Sequence, residues 1–191
     1  MIEQRKAMLH LLIGVNGAGK TTFVKNLIKK YFTKALIVTP DEAEWTDILE
    51  IKINEIKKMT GVKRLIYDDG IMEHIKNNFY GGLLLLDDAR CYIDAFTPND
   101  LRYIYIRRRQ FGIDIAVSVH GFDEVPPKLF TYATFLHLFI ANTPAILRKK
   151  YIRPDLFLKI QKAENEVLQE TKKGNAHPVR TILIDSQLNA I

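Results

Sequence analysis

An α/β fold, with a mostly parallel sheet between layers of helix, is the class this sequence predicts. Three observations carry the prediction. Short apolar runs alternate with helical patterns along the chain. A glycine-rich stretch, Gly14-Val15-Asn16-Gly17-Ala18-Gly19-Lys20-Thr21, joins the first such run to the first helix. A run of leucines, Leu83-Leu84-Leu85-Leu86, leads straight into Asp87-Asp88, the pattern of a buried strand that delivers a carboxylate at its end.

The elements follow in order. The first strand covers about 8–13 and the helix after it about 19–32, with Phe23, Leu27, Ile28 and Tyr31 on one stripe. Ala35-Leu36-Ile37-Val38 is a second strand, stopped by Thr39-Pro40. Residues 41–80 mix both periods through Ile48, Leu49, Ile51, Ile53 and Ile56, and are expected to be mostly helical. Gly81-Gly82 breaks the chain before the leucine strand. Thr97-Pro98 opens a helix as cap and first position, and Gly112 closes it after Arg109. Ile113 to Val119 is a β-branched strand, and another strand lies near Ala133–Ile140. Pro154 to about Lys172 reads as a charged amphipathic helix, ended by Gly174-Asn175, and Val179–Ile184 as a final strand. A single domain is expected, with a core over about 8–145 and a basic helix-and-strand extension over about 146–191.

Bulk properties narrow the class. The chain has 191 residues, ordinary globular composition and a net charge of +6. That charge is uneven: residues 1–34 and 101–191 carry +6 each, and 35–100 carry −6. A basic surface beside an acidic middle suits a polyanion next to a metal–nucleotide site, although a solvated lysine-rich surface gives the same numbers. The one cysteine, Cys91, permits no intrachain disulfide and reads as a small buried hydrophobe. No apolar run is long enough to cross a bilayer, the first ten residues do not form a signal peptide, and the histidines are scattered without metal-ligand spacing.

The glycine-rich stretch fits G-x-x-x-x-G-K-[ST], the phosphate-binding P-loop (Walker A), in the strand–loop–helix context that the motif needs. Glycines let the backbone curl so that successive N–H groups face an anion, and the new helix adds its positive end. Gly14, Asn16, Gly17, Ala18, Gly19, Lys20, Thr21 and Thr22 are therefore the expected ATP-binding residues. Lys20 would reach the β- and γ-phosphates, and Thr21 would hold Mg²⁺. The expected metal acid (Walker B) is Asp87 at the end of the leucine strand, with Asp88 orienting or deprotonating the attacking water. Leu65-Ile66-Tyr67-Asp68-Asp69-Gly70 competes, but Asp-Asp-Gly after a shorter run is turn chemistry. Arg90 could face nucleic acid, but a local ion pair is the plainer reading.

Two further stretches bear on chemistry. On a helical wheel over 101–112, Leu101, Ile104, Tyr105 and Phe111 share a face that includes Arg108, while Arg102 and Arg109 share a flank. Clustered arginines can stabilise phosphoryl-transfer charge or grip DNA phosphates; a solvated helix end is the plainer alternative. The strand they lead into ends in Ser118 and His120, at the edge where open α/β sheets bind ligands, so His120 is a candidate sensor of the γ-phosphate, with a surface histidine in the turn before Gly121 as the equal alternative.

These pieces, in this order, resemble the FtsK/HerA group of P-loop translocating ATPases, which includes viral genome-packaging ATPases and zonula occludens toxin-like proteins. The resemblance rests on the P-loop, Leu83–Asp88, Arg109-Gln110-Phe111-Gly112-Ile113, and the strand ending at His120 followed by Asp123-Glu124-Val125-Pro126. It implies a three-layer P-loop NTPase whose sensor strand lies between the P-loop and Walker B strands. It also implies a homo-oligomeric ring, typically a hexamer, that hydrolyses Mg·ATP to move DNA with little sequence readout. Arg109 matches the family's arginine before glycine and is the first choice for a trans-acting or sensor role, with Arg107 and Arg108 in reserve. The chain departs from the family pattern at Asp88, where Glu is usual, and at His120, where Gln is usual. The brevity resembles small viral packaging motors, which implies host cytoplasm or association with the virion and its proteins. Arg148-Lys149-Lys150-Tyr151-Ile152-Arg153 is one candidate DNA contact. Two other readings fit a P-loop chain of this size: a small nucleotide or metabolite kinase, and an ATP-dependent assembly or secretion switch without DNA movement.

Overall fold

Largely apolar runs become strands buried on both faces. They are β1 (Leu9–Ile13), β2 (Ala35–Thr39), β4 (Gly82–Leu86) and β5 (Ile113–Val119), with β3 (Val62–Ile66), β6 (Phe135–Leu138) and β7 (Arg180–Leu183) completing the set. The helices are α1 (Lys20–Tyr31), α2 (Ile71–Asn78), α3 (Pro98–Phe111), α4 (Leu129–Tyr132) and α5 (Pro154–Lys172). This is a computed structural model; it describes residues 6–90 and 98–184, with the backbone alone for 98–102. Thr97, Cys91 and the side chains of Leu101 and Arg102 lie outside the described residues. The seven strands form one sheet in the order β3-β2-β4-β5-β1-β6-β7. The strand ending before His120 thus stands between the P-loop strand β1 and the Asp87 strand β4, the order expected of a P-loop NTPase. Among the described residues no helix is long and apolar enough to cross a membrane.

The chain divides into two compact units, Met1–Met8 with Lys25–Val117, and Leu9–Val24 with Ser118–Ile191. In the first, β3, β2, β4 and β5 pair in parallel, with Ala35 opposite Val62 and Leu83, and Gly82 opposite Ile113. Every residue of β2 is buried, as are Leu83 to Leu86. Gly82 has φ +88°, and a Cβ there would stand 2.2 Å from the Lys34 carbonyl oxygen, so the entry to β4 requires glycine.

The expectation of mostly helix over 41–80 is corrected. That stretch holds a 3-10 turn (Ile53–Lys58), the strand β3 and the short helix α2. The physical reason is position: β3 is the sheet's terminal strand, only Leu65 in it is buried, and Lys63 and Arg64 interrupt its apolar pattern. Asp68-Asp69-Gly70 does form a turn, in which Asp68 Oδ1 accepts from the Asp69 N–H at 2.7 Å and Gly70 precedes α2 at φ +84°.

In the second unit β1 pairs in parallel with β6 (Leu11 opposite Leu136), and β7 runs antiparallel to β6. Helix α5 buries Leu156, Phe157, Ile160, Ala163 and Val167 at helical spacing. His10 and His137 are buried on β1 and β6, Nδ1 to Nε2 at 2.9 Å, and His137 Nδ1 lies 2.9 Å from Thr181 Oγ1 on β7. Burial, then the neighbouring His10, pushes the His137 imidazole down to about 3, so it is neutral at physiological pH.

Candidate active site

The P-loop is built within the second unit. The Gly14 N–H donates to the Val119 carbonyl at 3.0 Å and the Val15 N–H to the Ile140 carbonyl at 2.7 Å, pinning the start of the loop to the chain leaving β5 and β6. A Cβ on Gly14 would stand 2.5 Å from Phe139 Cβ. Gly17 (φ +76°) and Gly19 (φ +96°) take left-handed conformations that curl the loop back toward α1. Helix α1 starts at Lys20, so its first-turn amides, including those of Thr21 and Thr22, need partners from outside the helix. Lys20 is buried, and its ammonium donates to the carbonyls of Gly14 and of Val15, the latter at 3.0 Å. Asn16, Gly17 and Thr22 are exposed.

His120 sits beside this loop, one residue past the carbonyl that holds Gly14. It is buried; its N–H donates to Glu124 Oε2 at 2.7 Å and its carbonyl accepts from the Asn142 N–H at 3.0 Å. Ser118 is buried, and its hydroxyl has no hydrogen-bond partner among the described residues. The arrangement is a curled glycine-rich loop with a fixed cation and a buried histidine beside it.

The carboxylates belong to the first unit. The Asp87 N–H donates to the Val38 carbonyl at 2.9 Å, setting the residue at the carboxyl-terminal edge of β2 and β4. Its side chain is buried, and Oδ2 accepts from Trp45 Nε1 at 2.7 Å. Trp45 is itself buried, at φ +57°, a costly backbone for an aromatic residue. The Glu44 carboxyl hydrogen-bonds to that of Asp87. Burial first, then that bond and the charges of Asp87, Asp41 and Asp88, raise Glu44 to about 7. Asp88, also at positive φ (+43°), is engaged by Arg90, whose Nε lies 2.9 Å from Oδ1. Asp68 lies at the end of β3, two strands from β4.

A buried carboxylate beside a second one is a hard, anionic oxygen set that fits Mg²⁺. Among the described residues, no group of three or more His, Cys, Asp or Glu is placed to hold an ion unaided.

The arginines sort themselves clearly. Arg108 is buried, donating to the Ala7 carbonyl at 3.3 Å and the Tyr105 carbonyl at 2.6 Å, which makes it a structural tie. Arg107 lies over the Tyr103 ring, 4.6 Å from its centroid. Arg109 lines a cleft of about 870 Å³ with Lys6, Lys34, Gly82 and Gly112. That cleft is at the amino-terminal edge of β2, β4 and β5. Asp87 is at the opposite edge of the same unit, a strand length of about 16 Å away. In the basic segment, Arg148 is tied to backbone carbonyls, Nε to Phe122 at 3.0 Å, whereas Lys149 and Lys150 are exposed.

Glu44 and Trp45 are the residues that sequence reasoning missed. A signal was present: the chain's one tryptophan follows Asp41-Glu42-Ala43-Glu44, just past the end of β2.

No protein-family model and no curated protein matches this chain. Solved structures do. The genome packaging NTPase B204 from Sulfolobus turreted icosahedral virus 2, in complex with AMP, superposes with TM-score 0.69 at 16% identity, covering 95% of this chain and 94% of that one. B204 from Sulfolobus turreted icosahedral virus, described as a DNA-packaging ATPase, gives 0.63 at 15% identity over 94% of both chains. The N-terminal domain of zonular occludens toxin from Neisseria meningitidis overlaps only partly, with TM-score 0.48 at 17% identity over 71% of this chain and 78% of that one. Over nearly its whole length, this chain shares the α/β fold of the B204 structures.

Proposed function

We propose that the protein is an ATPase that moves DNA, most simply into a viral particle, and that it works as a homo-oligomeric ring. The observation that carries this reading is Lys20, buried within the curled loop 14–19 at the first residue of α1. The near-complete overlay on a genome-packaging NTPase supports the choice of a motor among P-loop proteins.

In this reading the amides of Gly17 to Thr22 and the Lys20 ammonium hold the triphosphate. Lys20 exchanges its two loop carbonyls for phosphate oxygens. Thr21 and Asp87 would hold Mg²⁺, which supplies positive charge to the phosphate oxygens when bound. Trp45 fixes the orientation of Asp87 through its indole N–H. Asp88 orients the attacking water once it parts from Arg90, and Glu44 is a second carboxylate able to share that task. His120 reads the γ-phosphate. Because Arg109 stands at the sheet edge opposite Asp87 in its own unit, its phosphate-directed role belongs to a neighbouring subunit's nucleotide. An arginine supplied in this way is worth about 10³–10⁵ in rate. Exposed Lys149 and Lys150 would meet DNA phosphates without base readout.

The test is ATP hydrolysis measured against protein concentration, with and without DNA, at low and high salt. Specific activity that rises with concentration and with DNA, and whose DNA response fades in salt, supports the motor. Phosphorylation of a small acceptor by a monomer would instead mark a kinase, and nucleotide binding without DNA-stimulated turnover an assembly switch.

A further inference from the structure

The loop joining α5 to β7 reaches the P-loop. Gly174 turns the chain at φ +91°, the Asn175 side-chain oxygen accepts the His177 N–H at 3.1 Å, and Pro178 is buried. Two residues on, Arg180 Nε is 2.7 Å from Glu166 Oε2, tying the start of β7 to α5. The loop is therefore held on both sides of His177. The His177 side chain is exposed, and it lies directly over Gly19. From the position a Cβ would take on Gly19, His177 Cβ is 3.2 Å away, Cγ 3.3 Å and Nδ1 3.5 Å. Any larger residue at position 19 would push the ring away.

We infer that His177 is a phosphate-contacting residue of the nucleotide site. The inference rests on the P-loop reading above and deepens it. Gly19 is the loop residue next to Lys20, where the backbone faces the phosphate chain. An imidazole at its flank offers an N–H donor to a phosphate oxygen there, from an element 158 residues further along the chain. The C-terminal extension thus completes one wall of the site, and the chain needs residues beyond its P-loop core for full nucleotide affinity. Such a donor acts on the phosphates and is indifferent to the base.

The test is calorimetric titration of ATP, and separately of inorganic triphosphate, each with magnesium, into the full chain. Wild type is compared with His177→Ala, His177→Asn and Lys20→Ala, each first checked for native circular dichroism. His177→Ala should weaken both ligands about 10-fold, the size of one hydrogen bond to a charged group. His177→Asn, which keeps a donor near the Nδ1 position, should stay within about threefold of wild type. Unchanged affinity in His177→Ala, or Asn as weak as Ala, overturns the inference. A loss confined to ATP overturns it too, because the ring then meets the nucleoside. Lys20→Ala separates the two readings: if Lys20→Ala loses binding and His177→Ala does not, only this inference fails. Normal binding by Lys20→Ala overturns the P-loop assignment itself.

Discussion

Trp45→Phe isolates one bond on which the site's acidic half depends. The indole N–H donates to Asp87 Oδ2 at 2.7 Å, and both side chains are buried. Phenylalanine keeps most of the apolar contact and removes the donor. A hydrogen bond to a charged group contributes about 1.5–3 kcal/mol, and the buried carboxylate left behind adds its own desolvation cost. The expected loss is therefore about 2–4 kcal/mol, or roughly 4–16 °C in Tm for a chain of this size. The assay is urea unfolding followed by far-ultraviolet circular dichroism, since the variant has no tryptophan to report. Asp87→Asn and the double variant close a cycle, which should give a coupling of about 1.5–3 kcal/mol between the two positions. A coupling under about 0.5 kcal/mol would mean that Trp45 does not hold Asp87, and the proposed orientation of the metal acid would fall with it.

Other perturbations have definite outcomes. Gly14→Ala puts a methyl 2.5 Å from Phe139 Cβ, so it should cost about 1–3 kcal/mol and weaken ATP binding by displacing the loop start; wild-type Tm and affinity would contradict that packing. His137 is held at about 3 when folded and relaxes to about 6.5 when unfolded, so the unfolded chain binds the extra proton and stability falls as pH drops below 6.5. Between pH 7 and 5 this amounts to about 2 kcal/mol, a slope that His137→Phe should flatten in denaturation series at each pH. Arg109→Ala mixed with Lys20→Ala should regain part of the ATPase activity that each lacks alone, because intact finger and intact loop then meet across an interface; no recovery in verified mixed rings argues against a trans role.

The central strands were legible because each is buried on both faces: the unbroken apolar run Leu83–Leu86 marks one, and the β-branched residues of Ile113–Val119 mark another despite Asp114 and Ser118. The P-loop was legible because its chemistry is local: glycines at φ +76° and +96° and a lysine lie within one short segment. Strand β3 was not legible, since a terminal strand takes its order from one neighbour and carries Lys63 and Arg64 in its middle. The wheel over 101–112 put Arg108 in the apolar face, and it is buried there, but its tie to Ala7 crosses 101 residues and has no sequence signature. The same holds for Trp45 with Asp87 and for His177 with Gly19. Each pair depends on which strand ends the sheet order brings together, and that order is set by the whole chain.

The chain's single tryptophan offers the most direct check that loop and acid serve one nucleotide. Trp45 is bonded to Asp87 and distant in sequence from the P-loop. Its emission should change on titration with Mg·ATP, more than with ATP alone, and should stay still in Lys20→Ala. Saturating ATP binding by calorimetry with no response from Trp45 would contradict a shared site.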